Sequence, residues 1–189
     1  MKFKEGKIVE IFYVNKGKEK TPVIIRYPKK TDLREIWKFY NKVIKETEGL
    51  SRVSPVTLGD EKKWIDDVLK SIKRDDKCQI LAEANQNIVG SVGIHRLLEE
   101  RRKHVGGFGI AILQEYAGLG LGKKLMEKIE EDAMKMNLRI IELHVHGKNK
   151  IAQNLYKKMG FKIAGKTPKA VKIRGGYDDD VLMYKVLKK

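Results

Sequence analysis

The feature that most constrains this chain is a glycine-rich turn near its centre. Residues 114–126 read QEYAGLGLGKKLM and directly follow an apolar segment at 105–113. Beyond the turn, apolar residues recur at helical spacing and form one stripe: Leu121, Leu125, Ile129, Ala133 and Met136. Glycines at a strand-to-helix turn let the backbone approach a phosphate, and the free N–H groups of the first helical turn bind the anion. The sequence therefore predicts a phosphate-binding turn that opens a helix at about Gly118, with Lys123 and Lys124 adding positive charge.

Two other phosphate motifs do not fit this turn. A dinucleotide-binding GxGxxG motif requires glycine where this chain has Lys123. A Walker loop would need glycine at Ala117 and Ser or Thr at Lys124. A turn without any ligand stays open as an interpretation, because glycine is common at tight turns. The turn alone therefore indicates an anion site and leaves its cofactor open.

Hydrophobic periodicity predicts a mixed α/β (α+β) architecture around the turn. Before it we expect a strand hairpin at 7–14 and 22–27 that turns at Asn15-Lys16-Gly17, helices at 33–46 and over Trp64, Val68 and Ile72, and an antiparallel meander at 78–84, 88–98 and 105–113. After it we expect a helix to Met136, a strand at 138–145, a helix at 149–159 closed by Gly160, and final strands at 161–164 and 181–187. Thr31 and Asp32 give an N-cap signal for the first helix, residues 47–59 indicate a loop, and Gly175-Gly176 indicates a turn.

Length and cysteine content favour one reduced domain. The 189 residues can bury one sizeable core, and no repeat or linker divides them. We expect a single domain over 1–189, with 1–21 as an N-terminal strand and hairpin extension and 22–187 as the core. Cys78 is the only cysteine, so an intramolecular disulfide and a Cys-rich zinc site are excluded. No metal-ligand spacing, signal peptide or membrane span is found, and a cytoplasmic protein that does not engage a membrane is expected.

The charge is strongly positive. Lys and Arg number 41 against 25 Asp and Glu, which gives a formal charge of +16 and favours anionic partners such as a phosphorylated cofactor. The basic residues are mostly lysines scattered among glutamates, and the patterned basic stripe of nucleic-acid-binding proteins is missing. We therefore do not expect nucleic acid to be the main partner.

Three consecutive segments together resemble the GCN5-related N-acetyltransferase (GNAT) family. They are GLGLGKKLM at 118–126, IELHVHGKN at 141–149 and NKIAQNLYKKMGF at 149–161. With the preceding meander, the resemblance covers about residues 22–187. It implies the GNAT-type acyl-CoA N-acyltransferase fold, a mixed and mostly antiparallel sheet flanked by about four helices, here with an extra N-terminal β-hairpin. It also implies acetyl-CoA as the cofactor, with CoA as product.

The resemblance assigns the pyrophosphate of acetyl-CoA to the glycine turn. The family's turn usually reads Gln or Arg, two residues, Gly, one residue, then Gly or Ala; Gly120 and Gly122 fit, while Ala117 replaces the Gln or Arg and loses a side-chain contact. The strand at 110–113 is implied to splay from the strand at 138–145, so that main-chain groups pair with the pantetheine arm. The expected cofactor-binding residues are Ile112, Leu113, Gly118, Leu119, Gly120, Leu121, Gly122, Lys123, Asn149 and Tyr156.

Tyr156 matches the tyrosine that protonates the CoA sulfur in the family. Asn149 lies seven residues earlier on the same helix face, because seven steps of ~100° leave an offset of only ~20°. Both are expected to point into the gap between the splayed strands. From the residues alone, Asn149 also fits a helix N-cap and Tyr156 a packing position beside Leu155 and Met159.

Several residues are candidates for the general base. Some relatives use a glutamate on the strand before the turn, but 104–113 contains no carboxylate. Relatives resembling ribosomal-protein N-terminal acetyltransferases carry a glutamate twelve residues before the tyrosine, where this chain has His144. Because an ordinary histidine has a pKa near ~6.5, it can accept a proton from an ammonium near neutral pH. His144 is the leading candidate and His146 the second, a structural role for His144 stays open, and the remaining candidates are His95, Glu99, Glu100 and water.

The expected activity is acetyl-CoA-dependent N-acetyl transfer to a primary amine of a small molecule or amino acid, by direct attack in a ternary complex. Asp178, Asp179 and Asp180 indicate either a solvated turn or an acidic wall for the amine, and the loop at 47–58, with Glu48 and Arg52, is the other place where the acceptor could be selected. The alternatives are a protein lysine or N-terminal acetyltransferase and a non-catalytic CoA-sensing or nucleic-acid-binding module. The sequence does not give the oligomeric state and is compatible with a homodimer.

Overall fold

A single eight-stranded sheet flanked by four α-helices makes up the part of the chain that the computed structural model describes, residues 3–17 and 19–188. The strands are β1 (Ile8–Lys16), β2 (Glu19–Arg26), β3 (Lys77–Ala84), β4 (Asn87–Arg96), β5 (Val105–Ile112), β6 (Ile140–His146), β7 (Lys162–Ile173) and β8 (Gly176–Val186). The helices are α1 (Leu33–Glu46), α2 (Leu58–Lys73), α3 (Leu121–Lys135) and α4 (Lys150–Lys158). The predicted mixed α/β architecture is confirmed.

The sheet has the order β1-β2-β3-β4-β5-β6-β8-β7. Strands β1 to β5 form an antiparallel meander, and β6, β8 and β7 pair antiparallel at the other end. The two halves meet where β5 and β6 pair in parallel. This parallel pairing covers only Val105 to Gly107 on β5 and Ile140 to Glu142 on β6. The two strands therefore separate beyond Gly107.

Helix α3 covers one face of the meander. Its predicted apolar stripe is fully buried, with Leu121, Leu125, Ile129 and Ala133 at 0% exposure. The close fit requires a glycine in β4, since a Cβ at Gly90 would lie 3.1 Å from Leu125. Helices α1 and α2 pack on β3 and β4 on the opposite face. The sheet is thus buried on both sides where the helices cover it.

The N-terminal hairpin is confirmed, but its predicted turn is wrong. Asn15 and Lys16 pair with Lys20 and Glu19, so they belong to the strands and not to the turn. Strand β1 also packs along α3, where Glu10 forms ion pairs with Lys124 and Lys128. The extension therefore contacts the helix that follows the glycine turn.

The first helix begins after Asp32 as predicted, but this side chain does not cap it. The Asp32 carboxylate accepts two hydrogen bonds from the buried Arg26 guanidinium, at 2.7 and 2.8 Å, and one from the Lys29 N–H. Arg26 also donates to Glu83. A buried guanidinium needs charged partners, and this requirement takes Asp32 away from the helix end.

The boundaries of two helices and two strands differ from the prediction. Helix α2 begins inside the predicted loop, because Thr57 and Asp60 form a reciprocal capping box. Helix α3 begins three residues later than Gly118, since Gly118 and Gly120 have left-handed backbones at φ +74° and +82°. Strands β7 and β8 are far longer than predicted and form a hairpin in which most β7 side chains are exposed.

No helix in the described part of the chain is long and apolar enough to cross a membrane.

Candidate functional site

A cavity of about 1370 Å³ opens where β5 and β6 separate. The glycine turn and α4 line one part of it, and α1, α2 and the segment between them line another. A cavity of this size exceeds the range typical of drug-sized ligands. It can hold an extended cofactor arm and a second, small molecule together.

The main-chain groups of β5 are divided between β4 and this cleft. The odd-numbered residues bond to β4, because Leu113 N donates to Val89 O and Leu97 N donates to Val105 O, each at 3.0 Å. In an antiparallel pair the even-numbered residues, among them Ile110 and Ile112, then direct their N–H and C=O groups away from β4. These groups face the gap left by β6.

Leu113 does not share this property with Ile112. Its N–H donates to Val89, its C=O accepts from Tyr116 N at 2.9 Å, and its side chain is buried. Ile112 lines the cavity and has main-chain groups that point toward it. Of the two residues expected from sequence, only Ile112 is placed to pair with an extended ligand.

The glycine turn leaves the first N–H groups of α3 without a partner within the helix itself. The first bond within the helix runs from Lys124 N to Gly120 O, at 3.1 Å, so the N–H groups of Leu121, Gly122 and Lys123 precede it. A Cβ at Gly122 would lie 3.1 Å from Leu155 and 3.3 Å from Ile112. The turn is therefore a tightly packed backbone cradle that fits a pyrophosphate.

The two lysines after the turn have different surroundings. Lys124 lies 3.1 Å from Glu10, whose carboxylate raises the pKa of the lysine. The Lys123 ammonium is mostly exposed, and Glu127 lies 3.8 Å from it. Lys123 is thus the better placed of the two to meet an anion, while Lys124 fixes the N-terminal hairpin to α3.

Tyr156 projects from α4 into a cluster of aromatic rings. Its ring centroid lies 6.1 Å from that of Phe108 and 5.9 Å from that of Phe161. Burial raises the pKa of Tyr156 to about 12. Tyr156 lines the cavity, and no group of the described residues is hydrogen-bonded to its hydroxyl. The phenol is thus both a packing residue and a protonated group open to the cleft.

Asn149 caps α4 and also lines the cleft. Its Oδ1 accepts a hydrogen bond from Ala152 N at 3.0 Å. Asn149 is therefore the N-cap of this helix, which is the structural role that its residue type also allowed. Its amide nitrogen lies 3.2 Å from the position that a Cβ of Gly49 would take. Asn149 therefore contacts the segment between α1 and α2 from across the cleft.

His144 lies on β6 with a carboxylate partner. Its Nδ1 is 2.7 Å from Oδ2 of Asp180 on β8, and 63% of its side chain is exposed. The other two aspartates of the run have different partners. Asp178 accepts a hydrogen bond from Lys148 N, and Asp179 forms an ion pair with Lys166. The three carboxylates therefore do not form one acidic surface for the acceptor, because only Asp180 is hydrogen-bonded to a side chain that lines the cavity.

The other base candidates are less well placed. His146 does not line the cavity, and Glu99 and Glu100 lie outside it near a short 3-10 turn. His95 does line it, but its imidazole covers Gly107, and its pKa is lowered by burial and by Lys77. Of these candidates within the described residues, His144 alone both lines the cavity and has a hydrogen-bonded carboxylate partner.

Sequence reasoning did not pair Asp180 with His144 and did not identify Glu61. Asp180 was only one of three aspartates in a run, and the β6–β8 register alone brings it to His144. Glu61 lines the cavity from α2 and is 5% exposed. A signal for Glu61 exists in the sequence, since it lies four residues before Ile65 on the stripe that contains Val68 and Ile72. A charged residue on the apolar face of a helix indicates a buried polar site.

No group of three His, Cys, Asp or Glu side chains in the residues described here could hold a metal.

Comparison with known proteins gives consistent results. The acetyltransferase (GNAT) family matches residues 33–161. An L-amino acid N-acetyltransferase of Escherichia coli is 34% identical over 109 residues, which are 57% of this chain and 67% of the relative. A GNAT-family acetyltransferase from Streptococcus pneumoniae has 29% identity and a TM-score of 0.79, covering 88% of this chain and 99% of that one. A protein from Salmonella typhimurium, solved with its cofactor acetyl-CoA, shares the fold at 17% identity and a TM-score of 0.78, covering 88% of this chain and 95% of that one.

Proposed function

The chain belongs to the acetyltransferase (GNAT) family, and we propose that it transfers an acetyl group from acetyl-CoA to the primary amine of a small molecule, with amino acids as the favoured acceptors. Acetyl-CoA supplies the acetyl group as a thioester, and the transfer is a direct attack in a ternary complex. The observation that carries this proposal is the separation of β5 and β6 beside the free N–H groups of α3, with the Tyr156 hydroxyl in the same cavity.

We assign the pyrophosphate and the pantetheine arm of acetyl-CoA to two different sets of main-chain groups. The N–H groups at Leu121, Gly122 and Lys123 would bind the pyrophosphate, with the positive end of the α3 dipole behind them. The outward main-chain groups of Ile110 and Ile112 would pair with the pantetheine amides. Ala117 offers no polar side chain, so the turn relies on its backbone.

Two residues would move protons. His144 accepts a proton from the acceptor ammonium at Nε2, because Asp180, as a carboxylate, holds the proton on Nδ1. The neutral amine attacks the thioester carbonyl, and the carbon–sulfur bond breaks as the amide forms. Tyr156 donates its phenolic proton to the departing sulfur, and the phenolate regains a proton from the new amide nitrogen. The raised pKa of Tyr156 keeps the phenol protonated at neutral pH before transfer. The two groups reach the cavity from β6 and from α4.

The mouth of the cavity favours a small acceptor over a protein. The segment between α1 and α2 contacts Asn149 through Gly49, and Glu48 lies 3.5 Å from Arg174 near the tip of the β7–β8 hairpin. These contacts hold the segment beside the cavity, which Gly49 and Asn149 both line. We infer that a small amine enters beside this segment more readily than a peptide, and the Escherichia coli relative is named for amino acids.

A thiol-release assay with acetyl-CoA tests the proposal. The acceptors are a panel of L-amino acids, polyamines and lysine-containing or free N-terminal peptides. We expect release with one or more small amines and little release with peptides. Preferential release with peptides would favour a protein acetyltransferase. No release with any acceptor, together with CoA binding or salt-sensitive nucleic-acid binding, would replace the enzyme by a non-catalytic module.

A further inference from the structure

Glu61 is a buried acidic side chain on the acceptor side of the cavity. It lies in the first turn of α2, next to the apolar positions that pack this helix on the domain. Tyr40 of α1 and Trp64 of α2 line the same part of the cavity. Carboxylates are rarely this buried unless they have a partner.

No hydrogen bond or ion pair to the Glu61 carboxylate is found within residues 3–17 and 19–188. The charged groups that affect the pKa of Glu61 are Arg52 and Asp60, and they lie 3.7 Å from each other. Asp60 is also held by Thr57 in the capping box. The cavity-lining Glu142 differs from Glu61, since it binds Arg102 through both of its oxygens.

The Glu61 oxygens remain accessible from the cavity. In the described part of the chain, the one side-chain atom that is fully sealed and lacks a hydrogen bond is Oε1 of Glu130, not an oxygen of Glu61. Burial raises the pKa of Glu61 to about 7, although Arg52 acts in the opposite direction. The fold therefore keeps an acid in an unfavourable environment that a cation in the cavity would make favourable.

We propose that Glu61 binds a cationic group of the acceptor other than the reacting amine. The reacting amine has to reach Tyr156 and His144 at the divergence of β5 and β6, whereas Glu61 projects from the helical wall. The aromatic rings of Trp64 and Tyr40, which also line the cavity, would add attraction for a cation in this subsite. The favoured acceptors are then diamines and diamino acids. This inference rests on the proposed acetyl transfer and specifies its substrate class.

Matched acceptors test the subsite. 1,5-Diaminopentane is compared with 1-aminopentane, and L-lysine with L-norleucine, so that each pair differs by one amino group. We expect kcat/KM to be higher for the member with two amino groups. Glu61→Gln should lower its kcat/KM by about 10- to 100-fold, chiefly through KM, and leave the monoamine nearly unchanged. Asp60→Asn is the control, because it removes a neighbouring carboxylate that is already paired and should spare the preference.

Equal losses for both members of each pair, or an unchanged preference in Glu61→Gln, would overturn the subsite. Calorimetric binding of 1,5-diaminopentane to the CoA-bound protein provides a readout that does not require turnover. If Glu61→Gln binds the diamine more weakly than the wild type, but the wild type transfers acetyl to no acceptor, the subsite is supported and the proposed function is rejected. Equal binding by both forms would reject the subsite whatever the activity. Thermal unfolding of each variant confirms that it is folded.

Discussion

The Nδ1 atom of His144 lies 2.7 Å from a carboxylate oxygen of Asp180, on the neighbouring strand. In the β6–β8 register His144 faces Leu182 and His146 faces Asp180, so the contact is diagonal. A carboxylate can only accept, which places the imidazole proton on Nδ1 and leaves the lone pair on Nε2. In the proposed reaction, this Nε2 lone pair is the base that accepts the proton of the acceptor ammonium.

Removal of either member should slow acetyl transfer at neutral pH. We expect His144→Ala to lower kcat by about 100-fold, with partial recovery at higher pH, where more of the acceptor amine is already neutral. Asp180→Asn should have a smaller effect in the same direction, because the imidazole is kept but is no longer oriented. The measurement is the pH profile of thiol release.

Asp179→Asn is the matched control for this pair. Asp179 is adjacent in sequence but binds Lys166 and the Lys169 N–H, so its loss should leave kcat unchanged. An unchanged pH profile in His144→Ala would assign the base elsewhere. Wild-type turnover in Asp180→Asn at all pH values would reject the orienting role of Asp180.

Tyr156→Phe should separate chemistry from cofactor binding. The substitution keeps the ring packed against Phe108 and Phe161 and removes only the hydroxyl. We expect kcat to fall by roughly 100-fold, with the Kd for CoA changed by less than about threefold. Because the pKa of Tyr156 is raised to about 12, the wild-type enzyme should show no loss of this acid below pH 10. Single-turnover kinetics and calorimetry measure the two quantities, and full turnover in the variant would contradict the role of Tyr156 as acid.

Gly118→Ala should weaken acetyl-CoA binding through the backbone alone. Its φ of +74° disfavours a side chain by about 1–2 kcal/mol, and nothing lies within 4 Å of the added Cβ. If the turn relaxes to relieve this strain, its N–H groups move, so we expect a roughly tenfold increase in the Kd for CoA.

Gly175→Ala provides the same strain at the tip of the β7–β8 hairpin, outside the glycine turn. Gly175 has a φ of +79° and also has nothing within 4 Å of an added Cβ. It should lower thermal stability by a similar amount and leave the Kd for CoA unchanged. Equal effects of the two variants on CoA binding would mean that the turn does not bind the cofactor.

Glu61 should make stability depend on pH. Its pKa rises from 4.5 to about 7 on folding, so the folded protein holds this proton more tightly than the unfolded chain. The resulting stabilisation is complete below pH 4.5 and is lost as the pH rises to about 7. Relative to Glu61→Gln, the wild type should lose up to about 3 kcal/mol of unfolding free energy across this window. Urea unfolding of both proteins from pH 5 to 8 measures this difference, and a constant difference would place Glu61 in contact with solvent or a partner.

The sequence by itself determined the features that depend on local periodicity. The stripe of α3, the helix of residues 33–46 and the meander follow from apolar spacing, and the glycine turn follows from residues that tolerate positive φ. Strands β7 and β8 exceed their predicted lengths because β7 is exposed and shows no alternation of buried and exposed side chains. Main-chain pairing with β8 extends it, and such pairing leaves little trace in a single sequence.

Only the tertiary structure decided which groups meet. The β6–β8 register selects Asp180 from three adjacent aspartates and brings it to His144. The β4–β5 register occupies the Leu113 N–H and leaves Ile112 facing the cleft. The burial of Glu61 depends on helices α1 and α2 closing over the sheet. In each case the partners are far apart in the chain, and local residue preferences carry no information about contacts that strand register and helix packing create.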